Sequence, residues 1–328
     1  MKDIFSNKKI LITGGTGSLG YALTLRLLKT KASNIRIFSR DEGKQTEMAE
    51  KITDQRLRFL IGDVRDKSRL SRALENIDIV IHAAALKQIP VAEYNPFEAV
   101  KTNVYGTQNL VEACLENDVS KVIAIGTDKA VSPFNTYGAT KFLMERLVIS
   151  ANRYRGNKKT DFLCVRYGNV LGSRGSVVPI FIEQIKNNKK ITITDPNMTR
   201  FTITMNQAID VILRALETGF GGEVFVPKLE SYRLIDVKDA IIEIFKAKNN
   251  LKKIPVRLGE KIHESLISSE ELRNCYETKL DYILCEEIPD VKKRNLKKTK
   301  SDISYTSNNV KILNKNEIKN ILRKEKLV

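Results

Sequence analysis

The chain has 328 residues, 42% of them hydrophobic and 29% charged, with a formal charge of +17. These are globular values for a chain long enough to bury a sizeable core, as one large domain or two modest ones. No apolar run approaches the roughly 18 residues of a membrane helix, and the widely spaced Cys114, Cys164, Cys275 and Cys285 form no CxxC pair, which argues against a metal site or a disulfide framework.

Strand-like KKILITGG begins within about eight residues of the first methionine, too soon for a signal peptide, so a soluble cytoplasmic protein is expected. KILITGG, IRIFSR, RFLIGDV, IDIVIHAAA and KVIAIGTD are short, apolar and rich in Ile and Val. They predict five buried strands, and FLCVRYGNV predicts a sixth. Helical stretches such as YALTLRLLKT and VYGTQNLVEACLEN lie between them. Alternating strand and helix predicts the α/β class, a Rossmann-type doubly wound parallel sheet with helices on both faces, over residues 1–170. Residues 171–328 read as a smaller, partly interleaved substrate lobe. Its helices are placed near 204–218 and 233–247, and LGSRGSVVP and TDPNMTRF read as loops.

ILITGGTGSLGYALTLRLL is strand, glycine turn, helix. Gly14 permits the tight turn, Gly17 lets backbone approach a pyrophosphate, and Gly20 lets the helix pack close to the sheet. Thr16, Ser18 and Leu19 complete a dinucleotide loop. The second strand ends in Ser39 and Arg40, with Lys44 nearby, where many NAD sites place an acid. A cation there favours the 2′-phosphate of NADP over NAD; the competing reading is an exposed Arg40 with Asp41 on the ribose. Asp63 and Val64 would flank the adenine. Ala83, Ala84 and Ala85 supply small side chains where a cofactor backbone passes.

TDKAVSPFNTYGATK, residues 127–141, sets Tyr137 one helical turn ahead of Lys141. Asp128 and Lys129 sit just upstream, an acid and a base that a simple hydride transfer does not need. Alone, Thr-Asp-Lys could be a helix N-cap with a salt-bridging lysine. The densest basic run, KKRNLKKTK at 292–300, has no interleaved aromatics and no nucleic-acid module around it, so it reads as a solvated surface segment. Of the two histidines, His82 and His263, the one in EKIHE, His263, is read as structural.

Together these residues resemble the extended short-chain dehydrogenase/reductase family, in the glycine loop, AAALK, Asn103 in KTNVYGTQN, and the Tyr137/Lys141 pair. A narrower likeness is to the inverting UDP-N-acetylglucosamine 4,6-dehydratases that open pseudaminic acid biosynthesis. It is carried in order by the 127–141 motif, VRYGNVLGSRGSVVP, ITDPNMTRF, GGEVFVPK and RLGEKIHESLI, and by the late YTSNN. One departure is Gly126, where the family usually has Ser; at most an altered loop is expected.

The resemblance implies a mechanism. Tyr137 takes the C4 hydroxyl proton as hydride leaves C4 for NADP. Lys141 holds down the tyrosine's pKa and anchors the nicotinamide ribose, and Thr127 hydrogen-bonds the C4 oxygen. Lys129 removes the C5 proton, provided a dry site lowers its pKa toward neutral, while Asp128 protonates the departing C6 hydroxyl. Asn103 would serve the cofactor, and Lys87 both cofactor and sugar. Substrate contacts are implied for Asn169, Arg174, Val178, Thr194, Met198, Arg200, Arg257 and Glu260. The arginines suit a diphosphate, and Glu260 the uridine ribose. A homo-oligomer is also implied. The alternatives are a relative that makes or consumes only the 5,6-ene, a nucleotide-sugar 4-epimerase or reductase, and, from another class, a nucleic-acid-binding Rossmann protein prompted by the charge.

Overall fold

Six apolar runs form parallel strands: β1 (Lys9–Thr13), β2 (Asn34–Ser39), β3 (Leu57–Ile61), β4 (Ile79–His82), β5 (Lys121–Ile125) and β6 (Asp161–Val165). The structure, a computed structural model, describes residues 4–173, 175–286, 291, 294–300 and 302–328. The strands can be apolar throughout because both faces are covered. Leu11, Val80, Val122 and Phe162 point into one core with the helices Gly106–Glu116 and Thr136–Tyr154. Ile10, Ile12, Ile81 and Ile123 point into the other, against the helices Ser18–Leu27 and Met205–Thr218.

Among the described residues the main sheet has ten strands. From one edge it runs β3, β2, β1, β4, β5, β6, then Val224–Pro227, Asp281–Leu284, Cys275–Glu277 and Lys297–Lys298. Val224–Pro227 is parallel to β6, and the last three pairings are antiparallel. Chain beyond residue 170 therefore returns to the first sheet, and the two lobes share it. Strand order reverses between β1 and β4, which opens a crevice at the carboxyl ends of these strands.

The smaller lobe has its own three-stranded sheet, Glu230–Arg233, Thr199–Ile203 and Asn169–Val170. Its core joins Phe181, Tyr232, Val237, Ile241, Ile318 and Leu322, with the helices Val177–Lys186, Leu234–Phe245 and Lys315–Lys324. The two expected loops are partly regular. TDPNMTRF runs into the strand Thr199–Ile203, all of it buried. Thr199 and Arg200 tolerate burial because they are bonded: the Thr199 hydroxyl meets His263 and Ser307, and Arg200 donates to backbone carbonyls. LGSRGSVVP ends in the first turn of Val177–Lys186, where Pro179 has no helical N–H to forfeit. Arg174 lies outside the described residues, as do Lys292 and Lys293 of the basic run. Lys297 and Lys298 form the outermost strand of the sheet, a charged edge that discourages pairing with another chain. Among the described residues no helix is long and apolar enough to cross a membrane.

Candidate active site

A cleft of about 720 Å³ follows the crevice from the β1 turn into the smaller lobe. One end is made by backbone. Gly14 has φ +65°, and a Cβ there would lie 2.9 Å from the Ala84 backbone, so the turns after β1 and β4 touch only because Gly14 has no side chain. This cradle fits a dinucleotide pyrophosphate, with the N-terminus of Ser18–Leu27 above it. Thr16, Gly17, Ser18, Leu19, Gly20, Ser39, Arg40, Lys44, Asp63, Val64, Ala83, Ala84, Ala85 and Lys87 all line the cleft. Asp41 is there too, but its carboxylate caps the helix Glu42–Lys51 through Lys44 N (3.0 Å) and also pairs with the Lys44 side chain. Arg40 reaches Asp63 at 3.4 Å.

The other end is made by side chains. β5 stops at Ile125, and Gly126 N donates to the Val165 carbonyl at 2.6 Å. A Cβ at Gly126 would sit 2.7 Å from that same oxygen, which accounts for glycine here. Thr127 then caps a short turn, Asp128–Ala130. Asn135 caps Thr136–Tyr154, accepting from Gly138 N at 2.7 Å. A Cβ on Gly138 would fall 2.2 Å from the Lys129 carbonyl. Glycine at 138 is thus what lets the helix carrying Tyr137 and Lys141 press against the Asp128–Lys129 turn.

Asp128 is fully buried. Its Oδ1 accepts from the Thr127 hydroxyl and from Lys129 Nζ, each at 2.9 Å. Lys129 Nζ also donates to Asn169 Oδ1 at 3.2 Å and lies 3.5 Å from Glu264 Oε1. Burial opposes the Lys129 charge, but the Asp128 and Glu264 carboxylates outweigh it, so its pKa is raised. The sequence led us to expect the reverse; Asp128, joined by Glu264 from a distant segment, is the reason. Burial raises the Tyr137 pKa, and the groups that ease its ionisation are Lys129 and the Thr127 hydroxyl. Lys141 instead donates to the Ile125 carbonyl at 2.5 Å, and burial brings its pKa down to about 8.

Thr127, Lys129, Tyr137, Lys141, Asn169, Thr194, Arg200, Arg257 and Glu260 all reach the cleft wall. Arg200 spends its donors on the 260–264 loop, at Ile262 O (3.0 Å) and Lys261 O (2.9 Å). Four expected residues are not on the wall. Asp128 is fully buried and does not line the cleft. Asn103 is buried and ties Leu86 to Thr140. Val178 and Met198 sit in the smaller lobe's core. Sequence reasoning passed over Glu264 and Tyr232, both buried and both lining the cleft. A glutamate directly before the apolar strand Ser265–Ile267 was the available signal for the first; Tyr232 in a strand of mixed polarity gave none.

Residues 10–286 match the model of a family described as polysaccharide biosynthesis protein. This chain belongs to that family. It is 46% identical to the UDP-N-acetylglucosamine 4,6-dehydratase (inverting) of Campylobacter jejuni, over 93% of this chain and 94% of that protein. It is 43% identical to a UDP-glucose 4-epimerase of Rickettsia rickettsii, over 97% and 96%. Among solved structures, Pen from Bacillus thuringiensis matches with a TM-score of 0.94 and 39% identity, over 99% of this chain and 100% of that one. A UDP-glucuronic acid 4-epimerase from Bacillus cereus, solved with NAD, matches with a TM-score of 0.70 and 25% identity, over 77% and 88%. The family thus carries the short-chain dehydrogenase/reductase fold read from the sequence.

Proposed function

We propose that this protein is an NADP-dependent UDP-N-acetylglucosamine 4,6-dehydratase that inverts C5. The observation that carries this reading is that Lys129, on the cleft wall with Tyr137, is paired at 2.9 Å with the buried Asp128. The chemistry NADP supplies when bound is hydride removal at sugar C4 and hydride return at C6. Gly14 to Gly20 would hold its pyrophosphate, and Ser39, Arg40 and Lys44 its 2′-phosphate. Val64 and Ala83–Ala85 would line its path.

Tyr137 accepts the C4 hydroxyl proton, with Thr127 orienting the C4 oxygen. The ketone then acidifies C5–H. Lys129 and Asp128 carry one exchangeable proton between them across 2.9 Å. Its transfer along that contact leaves Lys129 a neutral amine and Asp128 an acid. Lys129 takes the C5 proton, and Asp128 protonates the C6 hydroxyl, which leaves as water. The pair ends as it began, so no lowering of the Lys129 pKa is required. Solvent protonates C5 from the opposite face while Tyr137 returns the C4 hydroxyl proton to solvent, giving UDP-2-acetamido-2,6-dideoxy-β-L-arabino-hexos-4-ulose, a precursor for a surface glycan of the pseudaminic acid type. Asn169, Arg257, Glu260 and Lys87 would meet the UDP-sugar. The family's role in polysaccharide synthesis and the UDP-sugar named for its relatives support this substrate class. A cytoplasmic location fits a nucleotide-sugar substrate. Exposed Tyr94, Phe97, Tyr105 and Phe134 support self-association.

A second reading, 4-epimerisation, is favoured by the Rickettsia relative, but it leaves Asp128 and Lys129 without chemistry. Proton NMR of UDP-N-acetylglucosamine with the purified protein in D2O tests both. A C6 methyl signal with deuterium at C5 is expected, with ring couplings reporting inversion. A C4 epimer without a methyl means epimerase, and an alkene without a methyl means an enzyme of the 5,6-ene. An untouched spectrum, even with NADP added, overturns the reading.

A further inference from the structure

Glu264 is a buried carboxylate that none of the proposed steps uses. It is 3% exposed and immediately precedes the strand Ser265–Ile267. Its backbone is clamped on both sides by Ser307: Glu264 N donates to Ser307 Oγ at 2.9 Å, and Ser307 N donates to the Glu264 carbonyl at 2.8 Å. Ser307 in turn meets the Thr199 hydroxyl at 2.7 Å. The late YTSNN segment therefore fixes where this carboxylate points. Oε1 lies 3.5 Å from Lys129 Nζ and 3.9 Å from Arg200 Nε. Oε2 is buried with no hydrogen-bond partner in the structure. A buried carboxylate oxygen left unbonded is costly unless nearby charge compensates; Lys129 and Arg200 are the charges at hand, Lys129 the nearer.

We propose that Glu264 is a positioning residue for Lys129, holding the amine against Asp128 and stabilising the ammonium that forms when Lys129 takes the C5 proton. The role rests on the dehydratase reading. The charged and titratable groups facing Lys129 are Asp128 on its own turn, Glu264, Arg200, Tyr137, Tyr232 and Lys261. Of the two carboxylates, Asp128 must give up its proton to C6 and cannot serve as a fixed counter-charge throughout. Glu264 takes part in no proton transfer, so its charge is constant. A fixed negative charge beside the amine makes Lys129 the stronger base against a weakly acidic carbon.

Lysine labelled with 13C at Cε gives a test that does not depend on turnover. The Lys129 resonance is assigned by its loss in Lys129→Arg and titrated in wild type, Glu264→Gln and Glu264→Asp. In Glu264→Gln the Lys129 titration should fall by at least about one pH unit, and Glu264→Asp should hold it within about half a unit. With UDP-N-acetylglucosamine, Glu264→Gln should lose about tenfold in kcat and in C5 deuterium wash-in, with KM within about twofold. An unmoved Lys129 titration overturns the proposal. A raised KM at wild-type kcat also overturns it, assigning Glu264 to Arg200 instead. A wild-type enzyme that makes no methyl product defeats the dehydratase reading, and the titration then still decides whether Glu264 governs Lys129.

Discussion

The two ends of the cleft are built differently. At the Gly14 end the wall is main chain, placed by β1 and β4 and by the absence of side chains where two turns touch. At the Lys129 end the wall and the groups behind it are charged and polar side chains drawn from four remote segments: Asp128 and Lys129 after β5, Asn169 after β6, Arg200 on its strand, and Glu264 before another. A wall of backbone accepts any dinucleotide of the right shape. A wall of charges fixes which proton moves, and one substitution there should stop the chemistry without disturbing the other end.

Lys129→Gln makes that contrast sharpest. It should lower kcat by about 1,000-fold, the scale of a lost general base, while NADP binding, followed by fluorescence titration, stays at the wild-type value. Coupled loss of cofactor binding would mean that the two ends are not separable. Gly138→Ala tests the contact between the Tyr137 helix and the Lys129 turn. Its methyl would need space now held by the Lys129 carbonyl, 2.2 Å away. A displacement of that size should cost about 100-fold in kcat, with the helix content seen by circular dichroism retained.

The backbone end has a titratable group of its own. His82, at the end of β4, is buried between the Thr13 and Thr107 hydroxyls at 2.7 and 3.1 Å. Burial, aided by the nearby Lys141 charge, takes its pKa down to about 3 from 6.5. The native state thus refuses a proton that the unfolded chain accepts. The stability this contributes is complete above pH 6.5 and is lost as pH falls toward 3. Denaturant unfolding at pH 7.5 and pH 5 should show a loss of about 2 kcal/mol from this group. His82→Asn should lack that share of the pH dependence; an identical dependence in the variant would assign the acid loss to carboxylates alone.

The same contrast explains what could be read in advance. Ile10–Ile12 and Val122–Ile125 announce buried strands because neighbours in sequence share the hydrophobic signal, and Gly14 announces its turn because local backbone demands it. Thr199–Ile203 did not look like a buried strand, because Thr199 and Arg200 are polar and the groups that satisfy them, His263, Ser307 and the 261–262 carbonyls, are far along the chain. The antiparallel edge at 275–298 also escaped notice, its strands being short and carrying Glu277, Lys297 and Lys298. Lys129 itself was legible in the motif. Its charge state was not, because burial opposes it while Asp128 and Glu264 support it, and only the fold determines the burial and the approach of Glu264.

Asn135 ties the Tyr137 helix to the 257–260 loop and should give the smallest effect. Its Oδ1 caps the Tyr137 helix through Gly138 N, and its Nδ2 donates to the Gly259 carbonyl at 2.7 Å, on the loop that carries Arg257 and Glu260. Asn135→Ala removes both bonds and should cost about 1 kcal/mol of stability. Asn135→Asp keeps the cap and loses only the donor, so most of that stability should return. Both variants loosen the 257–260 loop, and both should raise KM for the UDP-sugar by about three- to tenfold, the worth of one neutral hydrogen bond. Cofactor affinity should not change in either. A wild-type KM in Asn135→Asp would mean that Lys261, which donates to the Val131 and Ser132 carbonyls at 2.8 and 2.7 Å, holds the loop unaided. The tie between the helix cap and the substrate end would then lie in Lys261 rather than in Asn135.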